Sequence, residues 1–119
     1  PAQVVLDLKA GQVLAKKLLA YTSRAAFLAD HARIDEATYL ARHVMRSCAE
    51  SSVGELLLLR ALERGGRLWD ALQEVEEART RLPEDLPLAI AHARILSLRG
   101  HTEQAEFLLE RVARQDAPA

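Results

Sequence analysis

Four histidines are the side chains of this chain best suited to acid–base chemistry or metal binding, because imidazole titrates near neutral pH. They are His31, His43, His92 and His101. They are spread along the whole chain, and none has a cysteine or acidic partner at the short spacing that metal sites use. The spacing therefore predicts neither a metal site nor a histidine-based catalytic centre.

The remaining chemically capable residues favour structural roles. Acidic clusters occur at Asp35-Glu36, Glu74 to Glu77 and Glu84-Asp85, where they suit solvated helix faces and the positive ends of helix dipoles. No nucleophile motif or phosphate-binding glycine loop is present in the sequence, and Gly65-Gly66 reads as a helix stop. We expect a non-catalytic protein without a cofactor.

Composition limits the class of protein further. The chain has 119 residues, 50% of them hydrophobic, and a net charge of -1, which suits one domain and gives no basic face for nucleic acid. The longest apolar runs fall far short of the ~20 residues of a membrane span. A lone cysteine, Cys48, and no leader-like segment predict a reducing, cytoplasmic location.

A recurring spacing indicates how the chain is organised. The segment from Gly66 to Ala71 returns as Gly100 to Ala105, and Ala32 to Ala37 lies the same interval earlier, with alanine at the glycine position. A glycine can end one helix in the left-handed conformation, and an alanine five positions on lets the next helix cross closely. Ala, Leu, Glu and Arg dominate, so the sequence predicts an all-α fold.

The period and these small residues resemble the tetratricopeptide family, whose repeat is a helical hairpin of about 34 residues. The resemblance covers residues 18–119 and divides them into repeats 18–51, 52–85 and 86–119 of a single domain. It implies a right-handed stack of antiparallel helical hairpins. The helix pairs are expected at 18–31 and 35–47, then 53–64 and 68–81, then 86–98 and 103–114.

Residues 1–17 precede the first repeat and form an N-terminal helical segment. The preferred prediction is a short leading helix that breaks at Gly11. The alternative is one longer helix that tolerates Gly11 at a cost of ~1 kcal/mol.

In the tetratricopeptide architecture, the outgoing helices line a concave groove. The resemblance implies that the groove contains Leu19, Thr22, Ala26, Ala29, Asp30, Val53, Leu56, Arg60, Glu63, Arg64, Pro87, Ile90, Arg94, Ser97 and Leu98. Such an apolar floor, with Arg60 and Arg94 at equivalent places, suits an amphipathic helix that carries an acidic residue. The alternative is that Leu56 and Ile90 pack only between helices and that the arginines are solvated.

The last hairpin has an apolar flank at Phe107, Leu108 and Val112. Stacked repeats need covered ends, so we expect a partner, a second copy of the chain or a local rearrangement to cover these residues.

The strings His31 to Ala37 and Arg111 to Asp116 also resemble the tetratricopeptide chaperone of the type III secretion needle subunit. That resemblance implies a cytoplasmic chaperone that shields an apolar helix of the needle subunit, together with a small helical co-chaperone. Two alternatives remain open: a general tetratricopeptide scaffold that binds an unrelated peptide, and a regulatory fragment of a larger protein.

Overall fold

The protein is described by a computed structural model that gives the backbone of residues 2–116 and the side chains of residues 16–115. This part of the chain is all-α and contains no strand. Its helices are α1 (Ala2–Asp30), α2 (Ile34–Ser47), α3 (Val53–Arg64), α4 (Leu68–Arg81), α5 (Leu86–Leu98) and α6 (Thr102–Asp116). The all-α prediction is confirmed, and α3, α4 and α5 begin and end where the sequence predicts.

The predicted break at Gly11 is wrong, because α1 runs without interruption from Ala2 to Asp30. The N-terminal segment and the first outgoing helix are therefore one helix. A glycine inside a helix costs only about 1 kcal/mol relative to alanine. Good helix formers on both sides of Gly11, and the absence of a nearby proline, outweigh that cost.

Three helices end in the same way, at equal intervals along the chain. Ala32, Gly66 and Gly100 have positive φ angles of 61°, 72° and 88°. The amide of the residue after each one donates to the carbonyl of Leu28, Leu62 or Leu96, at 2.8 to 2.9 Å. Ala32 adopts this conformation despite the ~1–2 kcal/mol that a Cβ costs there.

The alanine five positions after each of these turns is buried. Ala37, Ala71 and Ala105 are 1%, 0% and 4% exposed, so the returning helix lies close to the outgoing one. Each helix contacts the next in sequence, and α3 also contacts α1 and α5. The molecule measures 56 × 43 × 19 Å, and its smallest dimension equals about two helix diameters. The odd-numbered helices α1, α3 and α5 lie side by side in one layer, whereas no Cα atom of α2, α4 or α6 lies within 8 Å of another of these three helices in the described part of the chain.

Helices α2 and α3 cross closely at Gly54. A Cβ built on this residue would lie 2.6 Å from the backbone nitrogen of Met45, so α2 and α3 touch through backbone. The main core spans the chain and includes Val44, Leu58, Val75 and Ile95, each at most 1% exposed. These contacts fix the spacing of the helices that carry the candidate site.

Helices α3 and α5 begin with different capping contacts. The Asp85 side chain accepts a hydrogen bond from the Leu88 amide at 3.0 Å, with Pro87 in the first turn, as its residue types predict. Ser52 precedes α3 without capping it. The Ser51 hydroxyl instead accepts from the Val53 amide at 3.2 Å.

Candidate functional site

A cleft lies on the face formed by α3 and α5. It has a volume of about 510 Å³ and is lined by Arg60, Glu63, Arg64, Arg94 and Leu98. All five are among the groove residues that the tetratricopeptide resemblance implies. The structure brings them together because α3 and α5 pack side by side and present residues spaced by three or four positions to the same side.

The arginines of this cleft are already paired with carboxylates. Arg60 donates from Nε to Asp30 on α1 at 3.1 Å, and its Nη2 bonds the second oxygen. Arg94 donates from Nε and Nη2 to Glu63 on α3 at 2.9 and 2.7 Å. Each guanidinium therefore makes a two-point contact with the preceding odd-numbered helix. Sequence reasoning treats these arginines as free for a ligand and does not foresee the pairing.

Arg64 adds a third cation to this group, 3.3 Å from Asp30. The pKa of Asp30 lies below its usual value, mainly because Arg60 donates hydrogen bonds to it; burial opposes this, and the charges of Arg60 and Arg64 reinforce it. Three guanidinium groups face two carboxylates, so the cleft has an excess charge of about +1. That excess favours an acidic ligand group.

Four of the apolar residues predicted in the groove reach solvent on α1, α3 and α5. Leu19, Val53, Ile90 and Leu98 are 67%, 43%, 48% and 54% exposed. Leu56, Ala26 and Thr22 are half-buried, and the Thr22 hydroxyl donates to the Leu18 carbonyl. Ala29 is buried at 1% exposure, which makes it a core residue. Single exposed leucines are common on protein surfaces, but here four apolar side chains lie on one layer of helices.

The predicted end surface is only partly open. Phe107 is 61% exposed and Val112 is half-buried, whereas Leu108 is 8% exposed and packs with Ala93 and Leu96. Leu108 is therefore not part of the end surface, because its position on α6 faces α5. Leu109, the next residue along α6, is 44% exposed.

His92 occupies a position whose equivalent in the second repeat is the buried Leu58. It is half-buried, and its Nδ1 lies 2.9 Å from Nη1 of Arg79. Since arginine can only donate, Nδ1 is the unprotonated nitrogen. Burial lowers the pKa of His92, the charge of Arg79 lowers it further, and Glu76 opposes both. The geometry is that of a packed neutral histidine.

Glu55 is a buried acidic residue that sequence reasoning missed. It is 2% exposed and its carboxylate bonds to Arg81 at the end of α4, while Oε2 has no hydrogen-bond partner. Burial raises the pKa of Glu55, Arg81 opposes this, and Glu74 and Glu77 add to the increase. Its place inside the leucine-rich run from Val53 to Leu62 was the available signal, since the neighbouring apolar residues pack inward.

Two of the other histidines contact aromatic rings. His31 stacks on Phe27 at 4.0 Å, and His43 meets Tyr21 edge to face at 5.1 Å. Among the described side chains, no group of three or more His, Cys, Asp or Glu residues is close enough together to hold a metal ion. None of the helices in the described part of the chain has the length and apolarity needed to cross a membrane.

No family model, curated protein or solved structure matches this chain. Its function must therefore be argued from the cleft and from the residues around it.

Proposed function

We propose that this chain is a non-catalytic, protein-binding module of the tetratricopeptide type, and that the face of α1, α3 and α5 binds a helix of a partner protein. The observation that carries the proposal is the cleft at Arg60, Arg64, Arg94 and Leu98. It joins a small positive excess to exposed apolar side chains on one layer of helices.

The tetratricopeptide assignment is supported by features that recur at the interval typical of that family. These are the positive φ angles at Ala32, Gly66 and Gly100 and the buried alanines five positions after each. A right-handed stack of three hairpins, with the odd-numbered helices on its concave side, accounts for both features. It also accounts for the contacts of α3 with α1 and α5.

The ion pairs limit how strongly the cleft can bind an acidic partner. Because Asp30 and Glu63 already neutralise two of the three guanidinium groups, the cleft does not act as a strong anion clamp. Most of the binding free energy would come from burying apolar side chains, at about 25 cal/mol per Å². An amphipathic helix with one acidic edge fits: its apolar face covers Ile90 and Leu98, and the acidic edge lies near Arg64.

Binding to synthetic helical peptides tests this proposal. One peptide has an apolar face with glutamates along one edge, and the matched peptide has lysines in their place. We expect the acidic peptide to bind at least about tenfold more tightly, as measured by fluorescence anisotropy. Ile90→Ser and Leu98→Ser should weaken binding, whereas Tyr39→Ser should not, because Tyr39 is exposed on α2, outside the layer of α1, α3 and α5. Equal affinity for the two peptides, or equal loss with Tyr39→Ser, would overturn the proposal.

The resemblance to the needle-subunit chaperone suggests a concrete form of this function. In that form the module shields an apolar helix of the subunit, with a small helical co-chaperone, in the cytoplasm before export. Co-expression with a needle-type subunit would then keep the subunit unassembled, and Leu98→Ser would release it into sedimentable polymer. Binding of the acidic peptide without any effect on the subunit would favour the general scaffold instead.

A further inference from the structure

One face of α6 carries apolar side chains that the other described helices leave partly uncovered, although Val112 packs against the core residues of α5 and α6. Leu109 is 44% exposed and Val112 is half-buried. The residues at equivalent positions on the preceding even-numbered helices are fully covered: Ala41 and Val44 on α2, and Val75 and Ala78 on α4, are each at most 1% exposed. Those faces are packed against α3 and α5, respectively.

α1 has the complementary property. Its residues Ala20, Arg24 and Phe27 are exposed, and they lie on one face because they are spaced by four and three positions. Their equivalents on the later odd-numbered helices face the preceding even-numbered helix. On α3 these equivalents are Gly54, Leu58 and Ala61, which are buried; on α5 they are Leu88 and Ile95, which are buried, and the half-buried His92.

We propose that two copies of this chain associate head to tail, with α6 of one copy packed against α1 of the next in the way that α2 packs against α3 and α4 against α5. The occupant of the α6 face is thus a second copy of the chain. The α1 helix of that second copy exposes the face whose equivalents on α3 and α5 pack against the preceding even-numbered helix.

The residue pairs that meet between α2 and α3 and between α4 and α5 have equivalents at the proposed interface, and these equivalents show whether its side chains fit. Met45 of α2 lies against Gly54 of α3, where a Cβ would approach to 2.6 Å. The equivalent pair across the proposed interface is Ala113 and Ala20, so two small residues meet at the closest crossing. Arg79 of α4 bonds to His92 of α5, and the equivalent pair is Ala113 and Arg24, which leaves room for the longer arginine.

The charges also match. Glu76 of α4 lies close enough to His92 to act on its titration, and the equivalent pair across the interface is Glu110 and Arg24. The Glu110 side chain is 65% exposed and makes only a loose contact of 3.8 Å with Arg114. An acidic residue on α6 therefore meets a basic residue on α1 of the next copy, at the edge of an apolar contact through Leu109 and Phe27.

Such an interface joins two different surfaces, so it leaves both ends of a dimer able to add further copies. The weight-average mass from sedimentation should therefore rise steadily as the protein concentration is raised from about 1 µM to about 1 mM. Glu110→Arg and Arg24→Glu should each weaken the association at least about tenfold, and the double variant should restore it. Glu50→Arg is the matched control, because Glu50 is exposed in the loop between α2 and α3.

Mixing two blocked variants gives the sharper test. Leu109→Asp disables the α6 face and Arg24→Glu disables the α1 face, so each variant alone should stay monomeric. Their mixture should form dimers and nothing larger, through the intact α1 face of the first variant and the intact α6 face of the second. Circular dichroism checks that both are folded, and the milder Leu109→Ser replaces Leu109→Asp if that variant unfolds. A wild-type chain that is monomeric at about 1 mM, or association of Arg24→Glu alone that is as tight as that of the wild-type chain, would overturn the proposal.

Discussion

Arg60 and Arg94 occupy equivalent places in successive hairpins, and each forms a two-point ion pair with a carboxylate on the odd-numbered helix before its own. Arg60 reaches Asp30 on α1, and Arg94 reaches Glu63 on α3. Asp30 and Glu63 are separated by one residue fewer than Arg60 and Arg94. The two arginines therefore occupy equivalent positions in their hairpins, whereas Glu63 lies one position before the equivalent of Asp30. The pairs link α1 to α3 and α3 to α5 across the cleft.

Reversing the charge of one residue in these ion pairs should destabilise the protein slightly. Arg94→Glu places a second carboxylate beside Glu63, and we expect a loss of about 0.5–1 kcal/mol at low salt, since the pair is partly exposed. Urea unfolding at low and high ionic strength measures it, and the loss should shrink as salt is added. Exchanging both charges, with Glu63→Arg and Arg94→Glu together, should recover part of the loss; no recovery would mean that the pair does not contribute.

Ala71 should not tolerate a larger side chain. It is 0% exposed at the crossing of α3 and α4, so Ala71→Leu should cost about 1–3 kcal/mol through overpacking. Ala49→Leu is the control, because Ala49 is exposed between α2 and α3 and its replacement should change the unfolding midpoint very little. An Ala71→Leu protein that melts like the parent would contradict the close crossing.

Adding the same methyl group at two glycines should have opposite effects. Gly54→Ala brings a Cβ within 2.6 Å of the Met45 backbone, so we expect a loss of about 2 kcal/mol despite the gain in helix propensity. Gly11→Ala lies inside α1 and should stabilise the protein by about 0.5–1 kcal/mol. Thermal melting of the two variants checks both signs, and a stabilising Gly54→Ala would exclude the close α2–α3 contact.

Removing Arg81 should matter more at neutral pH than in acid. Burial raises the pKa of Glu55 above the value of about 4.5 that it has in the unfolded chain. The protonated side chain therefore stabilises the fold at pH values below about 4.5, and this stabilisation is lost as the pH rises through the pKa of Glu55 in the folded protein. At pH 7 Arg81→Met leaves a buried carboxylate unpaired, and we expect a loss of about 2 kcal/mol. At pH 4, where Glu55 binds a proton, the loss should be smaller. Equal losses in urea unfolding at the two pH values would show that Glu55 does not titrate in this way.

His92 should destabilise the protein in acid. Burial lowers its pKa, so the stability that its neutral form contributes is present above the unfolded pKa of about 6.5. This stability is lost as the pH falls through that value towards the folded pKa. His92→Leu matches the equivalent Leu58 and should reduce the fall in stability between pH 8 and pH 5.5. Denaturant unfolding at both pH values measures it, with the exposed His101→Gln as control.

Local chemistry explains why so much of the fold could be predicted. Gly66, Gly100 and the Asp85–Pro87 segment mark helix ends through backbone conformation and capping, which depend on a few neighbouring residues. The bounds of α3, α4 and α5 followed from them. Gly11 misled the prediction, because one unfavourable residue does not end a helix whose neighbours all favour it.

The amino-acid sequence alone determined the helical class and the regular spacing of the helix ends, because both depend on the preferences of residues close together in the chain. Only the tertiary structure decided that Arg60 and Arg94 are paired, that Glu55 is buried against Arg81, and that Leu108 is covered while Leu109 is not. Those outcomes depend on side chains far apart in the chain meeting across helix contacts, and a pattern within one helix carries no record of which residue lies opposite.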